Sequence, residues 1–215
     1  MRILHFGDIH FWRLQLARDF YYPKRLLGIV NLAMRRRHHF PAQLAREAMM
    51  QIASEDADLV LFSGDMTTMS LEGEFRDAAK AFAPLYEKWG DRLVAIPGNH
   101  DRYSPTSVRR NYFENYFPNA AMPEGRRVLS RQFGEHLCVV GFDASRPFMI
   151  RSNGLLDRGL ERELDHELGM IGETGRKVLL MGHFPYSYPG GFPGKWHHRL
   201  LRDGALAELI ARHQP

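Results

Sequence analysis

The sequence predicts an α/β protein with a largely parallel sheet, and three features predict it. Five short apolar runs end in glycine or a polar cluster, stretches of helical length and periodicity lie between them, and residues of metal-ligand chemistry gather just after the runs. Strands alternating with such helices build βαβ units, whose loops at the carboxyl ends of the strands converge on one crevice.

Taken in order, Arg2 to Phe6 reads as a short buried strand, and Pro41 to Ser54 as a helix. Asp58 to Phe62 is the second strand, Leu71 to Trp89 a long helix, Arg92 to Ile96 the third strand and Pro105 to Phe117 a further helix. Arg126 to Phe133 alternates more loosely and is expected to pair as a hairpin with His136 to Phe142 across Gly134-Glu135, which brings some antiparallel pairing into the fold. Leu155 to Ile171 reads as a helix, Lys177 to Met181 as a strand and Asp203 to His213 as the last helix. Between them, Phe184 to Trp196 holds Gly190, Gly191 and Gly194 among Pro185, Pro189 and Pro193, an irregular loop placed to shape access to whatever lies beside His183. With no internal repeat and no Pro/Gly/Ser linker, residues 1–215 read as a single domain carrying an inserted basic segment at 13–40.

Composition narrows the class. A chain of 215 residues that is 44% hydrophobic and 25% charged can bury its own core, which excludes disordered and collagen-like classes. The single cysteine, Cys138, lies in the apolar run Leu137-Cys138-Val139-Val140, where it reads as a small buried hydrophobe and fits a reducing compartment. The first residues run straight into a polar cluster with no room for a secretory leader, so a cytoplasmic location is expected. The longest nearly apolar stretch, Leu26 to Met34, falls well short of the ~20 residues needed to cross a bilayer.

The formal charge of +4 is uneven: residues 13–40 carry seven Lys or Arg against Asp19, a net of +6, which leaves −2 for the rest. A nucleic-acid-binding surface would extend beyond one segment, so the sequence-based pI of about 9.3 does not point to DNA or RNA. Within the segment, residues 24–37 have an apolar middle, basic ends and no acid. They read as a cap helix packed on the domain, or as a peripheral contact with an anionic membrane face or a lipid-bearing substrate.

The residues that carry chemistry fall in four clusters: Asp8 and His10, Gly64-Asp65, Gly98-Asn99-His100-Asp101, and Gly182-His183. Each alone is weak evidence. Helix capping would account for Asp8, Asp65 and Asn99 but not for His10, His100 and His183 in register with them. Carboxylate, imidazole and amide oxygen without thiolate suit Mn²⁺, Fe or Zn²⁺. A carboxylate such as Asp65 can bridge two cations, and two cations ~3.5–4 Å apart can activate water and clamp a phosphate ester during in-line displacement. His5, inside the first strand, reads as packed or surface-facing rather than as a ligand, while Phe11, Trp12, Tyr103 and Tyr186 are candidates to line a pocket.

Together the four clusters resemble the successive motifs of the calcineurin-like metallophosphoesterase family, over essentially the whole chain. The resemblance implies mixed β-sheets packed face to face with flanking helices and a centre of two divalent metal ions. It implies that Asp8 and His10 hold one metal, Asn99 and His183 the other, and that Asp65 bridges them. His100 would face the substrate as acid or charge stabiliser, with Asp101 orienting its imidazole, and Gly64 and Gly98 would let the backbone turn beside the metals. The family's closing Gly-His-x-His motif has no counterpart here, since His197-His198 lacks the spacing and His213 ends a helix. The expectation is therefore five of seven ligands, with the rest of the domain beyond Pro215. The implied activity is hydrolysis of a small phosphomonoester or phosphodiester. A nuclease of the same fold and a non-catalytic interaction scaffold are the alternatives; Met66-Thr67-Thr68 after Gly64-Asp65 looks more like the phosphodiesterase branch than the nucleases.

Overall fold

Ile3–Phe6 (β1), Leu59–Phe62 (β2) and Leu93–Ala95 (β3) form a parallel sheet in that order, with Ile3 opposite Leu59 and Val60 opposite Leu93. β2, in the middle, is buried at all four positions, as a parallel strand covered on both faces should be. β1 differs from the expectation of a buried strand: Ile3 and His5 are exposed and Leu4 and Phe6 half-buried, because β1 lies at the sheet edge with one face to solvent. The computed structural model describes residues 1–13, 42–118, 122–123, 125–149, 151–186 and 198–215. The basic segment beyond Arg13, the proposed lipid contact at 24–37 and most of the loop Phe184 to Trp196 lie outside the described residues.

These strands belong to the first of two compact units, residues 1–121 with 147–150; the second is residues 122–146 with 151–215. In the first unit, helices Ala42–Ser54 (α1) and Glu72–Trp89 (α2) follow β1 and β2. α2 buries Phe75, Ala78, Phe82, Leu85 and Trp89, a stripe at helical spacing, and turns Pro84 to the exposed face. That stripe outweighs the interior proline, whose lost hydrogen bond and ring clash cost ~3 kcal/mol in an isolated helix. Phe6, Phe62, Phe82 and Phe117 stack in a chain of ring contacts 5.0 to 5.4 Å apart through this core.

The helix expected over Pro105 to Phe117 is two short ones, Pro105–Arg109 (α3) and Tyr112–Tyr116 (α4). Asn111 adopts the left-handed conformation (φ 47°) between them, where a regular helix cannot continue. Ser104 caps α3, its side chain accepting from Ser107 N–H, with Pro105 in the first turn.

In the second unit the expected hairpin is present: Val128–Phe133 (β4) pairs antiparallel with Leu137–Phe142 (β5), from Val128 opposite Phe142 to Phe133 opposite Leu137. Leu155 belongs to a two-residue strand, Gly154–Leu155 (β6), rather than to the following helix. That helix, Arg158–Gly172 (α5), begins only after Asp157, whose carboxylate accepts from the N–H groups of Gly159 and Leu160. Lys177–Gly182 (β7) pairs parallel with β5, and Leu200–Leu201 (β8) pairs parallel with β6. The last helix, Asp203–His213 (α6), matches its expected span. Leu160, Leu164, Leu168 and Ile171 of α5 pack with Cys138, Val140, Leu206 and Leu209, so Cys138 is the buried hydrophobe expected of it. Among the described residues no helix is long and apolar enough to cross a membrane.

Candidate metal centre

The loops that leave β1 and β2 are zipped together by their backbones. Asp8 N–H donates to Gly64 O (2.9 Å), His10 N–H to Asp65 O (3.0 Å) and Phe11 N–H to Met66 O (2.7 Å), and Thr68 N–H returns to Phe11 O (2.9 Å). This zipper holds Asp8, His10 and Asp65 at φ of 57°, 57° and 64°. A left-handed non-glycine residue costs on the order of 1–3 kcal/mol and persists where its surroundings over-determine it. Three of the five expected ligands are held in this way.

Gly64 and Gly98 are needed for different reasons. Gly64 has φ 106°, and a Cβ there would stand 2.5 Å from Gly98 N, so it supplies the turn the sequence suggested. Gly98 supplies clearance: a Cβ there would lie 2.1 Å from Asp65 Oδ1.

The loops bring His10, Asp65 and His100 together, with one candidate ligand atom from each lying within 4.8 Å of the others. His10 Nε2 is 3.8 Å from Asp65 Oδ2 and 3.5 Å from Asp8 Oδ1. The His10 and His100 rings meet edge to face, centroids 4.8 Å apart. Asp65, Asn99 and His100 are buried, whereas the Asp8 side chain is 69% exposed and forms the outer rim. His100 thus stands in the same cluster as two expected ligands, and Asp65 Oδ1 accepts its backbone N–H at 2.8 Å.

Negative charge concentrated at one point shows in the ionisation of its neighbours. Burial pulls the His10 imidazole down, but the Asp8 hydrogen bond, the charges of Asp65 and Asp8 and the Thr67 carbonyl together raise it above its ordinary value. Burial and the Asp65 charge push Asp101 up to about 6, against the opposing pull of the N–H and O–H donors around it.

Those donors correct the expected role of Asp101. Its Oδ2 accepts from the N–H groups of Asp65 (2.9 Å), Met66 (3.2 Å) and Gly98 (2.9 Å), and its Oδ1 accepts from Thr67 N–H (2.9 Å) and lies 2.9 Å from Thr67 Oγ1. The Nδ1 of His100 faces the Thr68 carbonyl at 2.5 Å instead. Residues 98–101 close a turn through Asp101 N–H to Gly98 O (3.2 Å), and neighbouring side chains diverge from such a turn, which sends Asp101 beneath the loops rather than along the His100 ring. The backbone acceptors Thr67 and Thr68 escaped the sequence reading because a carbonyl has no residue-type signature.

Of the aromatic candidates, Phe11 is core, and Trp12 packs against Met69, Leu71 and Tyr103. Tyr103 lies over the His100 ring, centroids 5.5 Å apart at 26°. Tyr186, in the second unit, is half exposed. His5 faces outward on β1. His183 follows β7 in the second unit, half-buried, its ring edge against Phe184. Gly182 before it leaves room for the Phe142 ring, which a Cβ would meet at 2.5 Å.

The expected ligands of the first unit fit divalent cations of intermediate hardness: the imidazole of His10, the carboxylates of Asp8 and Asp65 and the amide of Asn99, with no thiolate. No protein of curated function matches the sequence. Among solved structures, a dimetal phosphatase from Danio rerio shares the fold, with a TM-score of 0.56 and 15% identity over 99% of this chain and 77% of that one. The sequence profile of the calcineurin-like phosphoesterases matches residues 1–212, nearly the full length, and includes all four motif clusters. The chain belongs to the calcineurin-like phosphoesterase family.

Proposed function

We propose that the protein hydrolyses small phosphomonoesters or phosphodiesters with two divalent metal ions, Mn²⁺, Fe or Zn²⁺. The observation that carries this reading is the convergence of His10, Asp65 and His100, with Asp8 at the rim, on loops that hold Asp8, His10 and Asp65 in the left-handed conformation. In this reading Asp8 and His10 hold one ion, Asn99 belongs to the other, and Asp65 serves both. Asp65 suits the bridging part: His100 N–H fixes its Oδ1, and its Oδ2 is turned toward His10. When bound, the ions supply positive charge for the phosphoryl oxygens and an activated water.

His100 is proposed to face the phosphoryl group rather than to ligate. Its Nδ1 faces Thr68 O, and in this reading the imidazole protonates the leaving oxygen or stabilises charge on the phosphate. Tyr103 beneath the ring limits its tilt. The fold hosts many phosphate esters and does not choose among them.

Turnover of p-nitrophenyl phosphate and bis-p-nitrophenyl phosphate by chelated and then Mn²⁺-reloaded protein tests the reading. Restoration of hydrolysis by metal supports it, and the preferred ester divides monoesterase from diesterase. Metal-independent hydrolysis, or none of either ester under any metal, contradicts it.

A further inference from the structure

We propose that the groove between α1 and α2 binds a medium-chain fatty acid, its carboxylate at Arg46 and Lys80 and its hydrocarbon chain laid toward Ala53 and Pro84. The α1 face of the groove runs from Arg46 through Met50 to Ala53, and the α2 face from Lys80 through Ala81 to Pro84, spacings of three and four that keep side chains on one side of a helix. Ala53 and Ala81 are half-buried against the core below, and where such small side chains meet, the longer neighbours wall a hollow. It measures about 380 Å³, a volume in the range of small-ligand sites. No lining residue is an expected metal ligand, so the proposal does not depend on the metal centre.

The two faces run the same way. β1, β2 and β3 are parallel, so the helices that follow β1 and β2 return side by side in one direction. Their carboxyl ends meet: Lys88 Nζ donates to Ala53 O (2.9 Å) and Trp89 Nε1 to Ala57 O (2.9 Å). The groove therefore has unlike ends. Ala53 and Pro84 form the apolar one, and Arg46, ~10 Å before Ala53 along α1, stands with Lys80 at the other.

Charge complementarity selects the occupant. Among the described residues Arg46 and Lys80 have no hydrogen-bond or ion-pair partner. Asp77, the acid lining the same end, is already engaged, its Oδ2 2.6 Å from Arg13 Nε. That end presents unopposed positive charge. Met50, between the ends, is 64% exposed, and its unbranched thioether can adapt to a flexible chain. A ligand that matches both ends carries an anion at one end and hydrocarbon at the other. The length of ~10 Å is the scale of one acyl chain rather than of a protein interface, which covers ~800 Å² per partner.

Calorimetric titration of decanoate into the full 215-residue chain, below the concentration at which decanoate forms micelles, tests the proposal, with the methionine ¹³C-methyl signals followed in parallel. Saturable binding that shifts the Met50 methyl and leaves that of Met66, beside the metal loops, unmoved is the expected result. The double variant Arg46→Gln, Lys80→Gln should weaken decanoate by roughly 10-fold, the scale of a hydrogen bond to a charged group. Decyltrimethylammonium, with the same chain and a cationic head, should bind at least as weakly to the wild type. Ala53→Leu, which fills the apolar end, should remove binding, with an unchanged circular dichroism spectrum showing that the variant is folded. No saturable binding, a shift at Met66 in place of Met50, or equal affinity for decanoate and decyltrimethylammonium would overturn the inference. So would sedimentation that shows a dimer whose formation shifts Met50 without ligand, which would give the groove to a second copy of the chain.

Discussion

The two compact units differ in where they keep their polar groups. In the first, Asp65, Thr67, Asn99, His100 and Asp101 are buried around the strand ends, and Asp8, His10, Asp65 and Ser70 are left-handed there. In the second, ion pairs run along partly exposed helix faces: Arg126 with Glu163 and Glu167, Arg127 and Arg146 with Asp157, Arg202 with Glu161 and Arg212 with Asp165. Among the described residues, its left-handed residues other than glycine are Arg202 and Gln214, which flank α6. Both units hold buried carboxylates and left-handed residues, but the first gathers them at the ends of its strands. Strain and buried carboxylate gathered at one point mark the first unit as the candidate site.

The comparison breaks most sharply at Asp65. Asp65→Asn removes the charge proposed to serve both ions and should lower turnover by more than the ~10–100-fold that a group behind a ligand costs; assay of the Mn²⁺-loaded variant checks it. His100→Ala should lower kcat by ~10²–10⁴-fold, the range of an acid–base group, with metal content retained. If His100→Ala strips the metal, His100 is a ligand and its role here is wrong.

In the second unit, Asp157→Ala should cost ~1 kcal/mol or somewhat more by removing the α5 cap, read as a lower denaturation midpoint, and leave metal content unchanged. Its guanidinium partners, led by Arg127, hold the Asp157 carboxyl well below the ordinary carboxylate range. A depressed folded value means this stabilisation is complete above the unfolded value of ~3.9 and is lost as pH falls below it toward the folded value. Urea titrations from pH 5 downward should therefore show wild type and Asp157→Ala converging. Arg126→Ala should do least, at most ~1 kcal/mol, because its pairs face solvent.

The sequence disclosed the strands because each is a short, largely apolar run closed by glycine or a polar cluster, and all five runs are strands. It pointed to Asp8, His10, Asp65 and His100 because ligand chemistry at strand ends is a pattern of residue types, and the first unit brings those four side chains near one another. It did not disclose the two-residue strands β6 and β8, too short for any periodicity, or the break at Asn111, where local backbone conformation overrode an otherwise helical pattern. It also misplaced Asp101. A carboxylate beside a histidine invites the inference that one orients the other, and only the turn at residues 98–101 shows that they diverge. The partners that matter most here, the carbonyls of Thr67 and Thr68, belong to the backbone and could only be seen in the fold.

The most direct measurement is the metal content of the 215-residue chain, by elemental mass spectrometry after exposure to Mn²⁺ and removal of free ion, for the wild type, Asp65→Asn and Asp157→Ala together. About two Mn per chain in the wild type and in Asp157→Ala, with a large loss in Asp65→Asn, is the predicted result. A wild type that retains essentially no metal, or an Asp65→Asn variant that retains as much as the wild type, would contradict the assignment of the first unit's buried polar cluster as a metal centre.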